Sequence, residues 1–181
     1  MPPAKECGAA CGCATNRVRY KESTGDPMHH AFLRQAIQMA VENVQGGGGP
    51  FAALVVKDGC VIASGCNQVT LARDPTAHAE VVAIREACRV LQNFQLTGCE
   101  LYCSAEPCPM CLGAIFWARP DRVFFAATNN DAAAAGFDDA FIARQIALPH
   151  SERAIPMIHV VDPEAPRPFE EWVNRPHKTA Y

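Results

Sequence analysis

Residues 100–127, ELYCSAEPCPMCLGAIFWARPDRVFFAA, read as strand, helix and strand in close succession. Residues 100–104 form a short apolar and aromatic run, and residues 122–127 another, both of strand length. Between them, Pro107 and Pro109 bracket a cysteine, and the apolar run to about Ala118 begins with a proline suited to the first helical position. A strand–helix–strand unit implies an α/β architecture, in which helices cover the faces of a sheet.

The flanks extend that reading. Upstream, residues 51–57 and 60–66 are β-rich runs on either side of Asp58-Gly59, a strong hairpin signal. Before them, Leu33, Ile37, Ala40, Val41 and Val44 recur at three- and four-residue spacing, giving an amphipathic helix over residues 27–45. Asp26 is its expected N-cap and Pro27 its first residue, and the four glycines 46–49 end it. His29 and His30, in its first turn, are expected to be solvated. A second helix spans about residues 78–91, with Val81, Ile84, Ala87, Cys88 and Leu91 on one face. Downstream, Gly136-Phe137-Asp138-Asp139 leads into a short helix through Ile146. Residues 155–161 read as a fifth strand despite Pro156, and residues 168–173 are helical at best. The order α-β-β-α-β-α-β-α-β predicts a three-layer α/β/α fold around a central mixed five-stranded sheet. Residues 1–26 lack apolar periodicity and read as a flexible tail, leaving residues 27–181 as a single domain.

With 181 residues, 49% of them hydrophobic and 19% charged, the chain can bury a substantial core. Sixteen basic against nineteen acidic residues give a formal charge of −3, without the basic excess expected of a nucleic-acid binder. No apolar run approaches membrane-spanning length, and the N-terminus has no secretory h-region. The expected compartment is therefore the reducing cytoplasm. There, ten cysteines point to metal binding and to small core residues rather than to disulfides. Cys7, Cys11 and Cys13 lie in the tail, and Cys60, Cys66, Cys88, Cys99 and Cys103 are expected in the core.

Two stretches concentrate the chemistry: Thr76-Ala77-His78-Ala79-Glu80 and Glu106-Pro107-Cys108-Pro109-Met110-Cys111. One imidazole and two thiols make a three-protein-ligand zinc set that leaves a fourth position for water. His78, Cys108 and Cys111 are the expected ligands. All three sit at predicted helix starts, where the positive end of the dipole favours thiolate over thiol. Glu80 is placed to carry that water's protons. A closed structural zinc site, in a binding module without catalysis, is the bland alternative.

Together these residues form H-x-E…P-C-x-x-C, the signature of zinc-dependent base deaminases. From about residue 30 to 181 the chain resembles the cytidine-deaminase-like superfamily, and more narrowly the bacterial-type guanine deaminases. Gly49-Pro50-Phe51, Asn67, Asp74-Pro75-Thr76, Leu112-Gly113-Ala114-Ile115 and Trp117-Ala118-Arg119 carry the resemblance. Ala135-Gly136-Phe137-Asp138-Asp139 and Lys178-Thr179-Ala180-Tyr181 point to guanine within it. The resemblance implies hydrolysis of guanine to xanthine and ammonia, with one zinc ion per subunit activating the water that attacks C2.

In that scheme Glu80 is the main proton carrier and Asp139 the second acid, near the departing amino group. Asn67 hydrogen-bonds the purine, Phe51 and Trp117 pack around it, and the backbone of Ala79 lies close. Each has a plainer reading: Asn67 as a turn residue, Phe51 and Trp117 as core, Asp138 or Asp139 as a helix cap. Of the two aspartates, Asp139 is favoured for chemistry and Asp138 for capping. The family resemblance further implies a homodimer in which residues 150–181 cross to the partner and Tyr181 covers the bound base. The implied partner is a small purine, with neither nucleic acid nor membrane. Ammeline, guanosine, cytosine and tRNA adenosine are the alternative substrates.

Overall fold

A computed structural model describes residues 26–181. The expected tail, with Cys7, Cys11 and Cys13, lies outside them apart from Asp26. Four strands, β1 (Ala52–Lys57), β2 (Cys60–Cys66), β3 (Cys99–Ala105) and β4 (Arg122–Ala127), form one sheet in the order β2-β1-β3-β4. β1 is antiparallel to both neighbours, whereas β3 and β4 run parallel, so the sheet is mixed. The helices are α1 (Pro27–Gln45), α2 (Val69–Ala72), α3 (Ala79–Leu91), α4 (Pro109–Ala118), α5 (Asn129–Ala134), α6 (Asp139–Ala147) and α7 (Arg167–Asn174).

β1 is apolar at five consecutive positions because it is central and covered on both faces. Its side chains alternate. Ala53 and Val55 join Ala83, Ile84, Ala87, Leu101 and Ile115 in a core beneath α3 and α4. Leu54 and Val56 turn the other way, onto Ala36 and Tyr102 beneath α1. Helices thus cover both faces of the sheet, as expected. Asp26 caps α1 by accepting the Met28 N–H at 2.9 Å, with Pro27 following as predicted.

Among the described residues the sheet has four strands, not the five expected. Residues 155–161 belong to no strand, and Ile155, Ile158, Val160 and Val161 are each at least 77% exposed. Their composition suits a strand, but a strand exists only where an edge pairs with it. This segment meets no edge of its own chain's sheet, and Pro156 removes one ladder donor. β4 therefore remains an edge strand among the described residues.

Two side-chain expectations also change. His29 is packed, not solvated: its ring stacks on Phe124 at 4.2 Å and its Nδ1 lies 2.7 Å from the Tyr102 hydroxyl. That hydroxyl donates to Glu100 Oε2 at 2.6 Å, and Glu100 pairs with Arg122. The first turn of α1 lands on rings projecting from β3 and β4, which the α1 sequence by itself does not reveal. Cys60 is exposed at the hairpin turn, and Cys66 and Cys88 are half-buried. Only Cys99 and Cys103 of that group are core residues.

The contact that sets the site is made by Gly65 on β2. A methyl group there would strike the Ala79 carbonyl and stand 2.5 Å from the Ala83 nitrogen. The first turn of α3 therefore rests directly on the β2 backbone, which brings His78 and Glu80 over the end of the sheet.

Candidate active site

His78 is the N-cap of α3, in extended backbone conformation (φ −69°, ψ 153°), and Cys108 is the N-cap of α4 (φ −65°, ψ 168°). Neither side chain makes the capping hydrogen bond that Ser, Thr or Asp would make there. Both turn towards each other instead. His78 Nδ1 lies 3.5 Å from the Cys108 sulfur and 3.5 Å from the Cys111 sulfur, and all three donor atoms fall within 4.8 Å of one another. Pro109 occupies the first position of α4 and lacks the N–H that would otherwise be unpaired there. Cys111, three residues after Cys108, comes round to the same side.

Each donor's protonation reflects the others. A hydrogen bond from Cys111, reinforced by His78, holds the Cys108 thiol down to about 4. The same shared proton, together with burial, pushes Cys111 well above the usual thiol range. The Cys108 thiolate raises His78. Two thiols and an imidazole so close together sharing so few protons suit a soft divalent cation, which replaces those protons. The donor set, the buried sulfurs and the two helix N-termini fit zinc, with three protein ligands and one position left over.

Beside this cluster lies a cavity of about 350 Å³, within the range of small-molecule sites. His78, Cys108, Glu80, Asn67, Phe51 and Asp139 all line it, six of the residues singled out from sequence. Glu80, in the first turn of α3, is only 7% exposed, and burial raises its carboxyl above the usual range. Asp139 opens α6, and its carboxyl is likewise raised, first by partial burial and then by the Cys108 charge. Asp138 is the cap, accepting the Phe141 N–H at 3.0 Å, while Asp139 faces the cavity. Asn67 follows β2, is 7% exposed, and accepts the Val69 N–H at 3.2 Å. Ala79 is buried between His78 and Glu80 and adds no side chain to the lining.

Trp117 and Tyr181 lie elsewhere. They meet at 5.8 Å between ring centres, with Phe94 and Trp172 also against Tyr181, at a second cavity of about 780 Å³. Trp117 is in the last turn of α4, about 9 Å along the axis from Cys111, so one chain does not bring it to the metal cluster. Nor does the chain bring its own terminus there.

Other lining residues escape a sequence reading. Phe137 meets Phe51 edge-on at 4.8 Å, an aromatic wall joining two distant segments. The Ala135–Asp139 stretch that carries the resemblance contains Phe137 but gives its ring no role. Glu106 also lines the cavity and accepts the Asn129 N–H at 3.0 Å, fastening the start of α5. Gly47, Gly48 and Gly49 form a wall free of side chains, which a glycine run read only as a helix terminator does not announce.

The cytidine and deoxycytidylate deaminase zinc-binding region matches residues 27–127. Guanine deaminase of Bacillus subtilis is 56% identical over 154 residues, covering 84% of this chain and 99% of that protein. The X-ray structure of guanine deaminase from that organism superposes with a TM-score of 0.83, covering 84% and 98% of the two chains. A structure of guanine deaminase from Nitrosomonas europaea is 36% identical, with a TM-score of 0.59 over 63% of this chain and 65% of that one. The tRNA-specific adenosine deaminase of Aquifex aeolicus is 45% identical over 99 residues, 55% of this chain and 66% of that protein.

Proposed function

Because the chain belongs to the cytidine and deoxycytidylate deaminase zinc-binding family, and shares it with a guanine deaminase matched over 99% of that protein's length, we propose that it hydrolyses guanine to xanthine and ammonia. One observation carries the chemistry: a buried carboxyl, Glu80, and a second one, Asp139, open into the same small cavity as the Cys₂His cluster. His78, Cys108 and Cys111 would hold zinc, which when bound would supply a Lewis acid that makes water nucleophilic near neutral pH.

The protein's own groups do the rest. Glu80 accepts the proton that water gives up as it adds to C2, and passes it to the adjoining ring nitrogen. The C2 hydroxyl then gives up its proton, which Asp139 relays to the amino group, so that the C2–N bond breaks, the C2 carbonyl forms and ammonia leaves. Asn67, whose amide can both donate and accept, reads an edge of the base. Phe51 and Phe137 enclose the ring, and burial keeps bulk water from the Glu80 carboxyl. The test is to incubate the zinc-loaded protein with guanine, guanosine, cytosine, adenine and ammeline and to measure ammonia. Ammonia from guanine above the others is expected; none from guanine overturns the assignment. Adenosine in tRNA is disfavoured by the acidic balance of the chain.

The reading extends to a cytoplasmic homodimer with exchanged arms. Residues 155–161 are strand-like, apolar and exposed, and β4 is an edge, so each copy offers what the other lacks. In this assembly residues 150–181 cross over, and Tyr181 of one copy covers the base held by the other. In that exchange Tyr181 leaves Trp117, against which it lies within one chain. No described helix is long and apolar enough to cross a membrane. Light scattering should give twice the chain mass, and removal of residues 178–181 should cut guanine turnover. A monomer would refute the exchange, and intact turnover in the truncated protein would refute the lid.

A further inference from the structure

The amide of Asn43, near the end of α1, contributes both of its protons to the wall of the site. Nδ2 donates to the Gly49 carbonyl at 2.8 Å and to the Asn67 carbonyl at 2.9 Å. Gly49 and Asn67 lie on separate segments, one before β1 and one after β2, and both line the cavity. The fit around this amide leaves little slack. A methyl group on Gly48 would stand 2.7 Å from Asn43 Cγ and Oδ1, and one on Gly49 would stand 2.8 Å from Asn67 Oδ1. The Gly48 N–H in turn donates to the Asn43 carbonyl at 2.8 Å. The layers therefore run Asn43 on Gly48, then Gly49 on Asn67, with no room for a side chain at either glycine.

We infer that Asn43 is a positioning residue for the purine: by clamping the Gly49 and Asn67 carbonyls with one amide, it fixes where the Asn67 side chain meets the base. The inference rests on the guanine reading above. Asn43 is absent from the lining of the cavity and touches none of the metal donors, so it acts through Asn67 and the glycine wall. The backbone around Asn67 is tied at two further points, its N–H to the Phe51 carbonyl at 2.9 Å and its Oδ1 to the Val69 N–H. Removing Asn43 therefore loosens one side of a held residue and leaves the fold in place. Asn67 grips the base in the ground state and in the transition state alike, so the loss falls on KM rather than on kcat.

The experiment compares Asn43→Ala, Gly48→Ala and the double variant with the parent, measuring kcat and KM for guanine, the Kd for 8-azaguanine, zinc content and Tm. Asn43→Ala is expected to raise KM and Kd about tenfold, with kcat within about threefold and zinc unchanged. Gly48→Ala displaces the same amide from the opposite side, so it should reproduce the effect. The double variant should be no worse than the worse single one, because both remove the same clamp. Tyr102→Phe, on the far face of the sheet, serves as the control: it should lower Tm without moving KM. A Tm loss in Asn43→Ala with KM and Kd unchanged would overturn the inference, as would independent, multiplying effects in the double variant. If Asn43→Ala does not fold, Gly48→Ala decides alone. A parent without guanine turnover would refute the proposed reaction instead, and the 8-azaguanine Kd would then still decide whether Asn43 organises a purine site.

Discussion

Replacing Glu80 by Gln keeps the shape of the side chain and removes its ability to carry a proton. The cavity holds two other carboxyls. Glu106 is engaged by the Asn129 N–H, which leaves Asp139 as the remaining candidate to move a proton. Positioned proton transfer contributes roughly 10²–10⁴ in rate. With a single and separately placed substitute, the loss in kcat should be about 10³, or about 4 kcal/mol of transition-state stabilisation. Stability should not follow. Glu80 is 7% exposed and burial already disfavours its charged form, so a neutral amide of equal size should leave the Tm of the metal-free protein unchanged or raised. His78, Cys108 and Cys111 are untouched, so zinc content should stay at one ion per chain. Ammonia release, elemental analysis and thermal melting measure the three quantities on one sample. A Glu80→Gln protein that holds zinc and turns guanine over within tenfold of the parent would refute the role given to Glu80.

The adjacent aspartates should separate cleanly. Asp138→Ala, losing a cap, should cost about 1 kcal/mol in denaturant unfolding with turnover per folded molecule retained. Asp139→Asn should leave stability nearly unchanged and lower kcat by roughly 100-fold, the lower end of what a positioned proton carrier contributes. At Gly65, alanine would force backbone apart at Ala79 and Ala83. It should cost about 2–3 kcal/mol in denaturant unfolding and weaken zinc binding in a competition titration, since the start of α3 moves. Burial and the Glu100 hydrogen bond raise the Tyr102 hydroxyl above its ordinary value of 10.0. Its contribution is therefore complete below about pH 10, and declines above that as the unfolded chain gives up a proton that the folded chain retains. Tyr102→Phe should flatten that fall in a Tm–pH series, at a cost of about 1–2 kcal/mol at neutral pH.

The parts legible in the sequence are those set by local geometry. Pro109 and the apolar run after it place α4 residue for residue, and Asp58-Gly59 places the hairpin, because turn chemistry and helix starts depend on near neighbours. The same holds for Cys108 and Cys111, three apart on one helix, and for His78 with Glu80. The errors are contacts between distant segments. His29 looks like a surface residue until Tyr102 and Phe124 lie beneath it. Residues 155–161 look like a strand because composition reports a preference for pairing, not the presence of a neighbour. Trp117 lies within one chain at the far end of α4, against Tyr181, a contact that no local pattern announces. Asn43 shows no pattern whatever, since its two carbonyl partners are six and twenty-four residues away.

The site also shows why the reaction class is so much better specified than the substrate. Both helix starts that carry the metal donors give up their capping bonds: His78 and Cys108 stand where Asp or Ser would be worth about 1 kcal/mol each. A cation held by His78, Cys108 and Cys111 would tie α3 to α4 and offset that loss. Metal binding, the start of α3 and the placement of Glu80 are then one structural variable, and few sequences satisfy it. The rest of the cavity, by contrast, is lined by Gly47–Gly49, Phe51, Asn67, Phe137 and Asp139, drawn from three stretches of chain that the motif does not contain. Each of these can change without disturbing the metal, as can the clamp behind Asn67. A fold built this way can exchange one amino-substituted heterocycle for another while its chemistry stays the same.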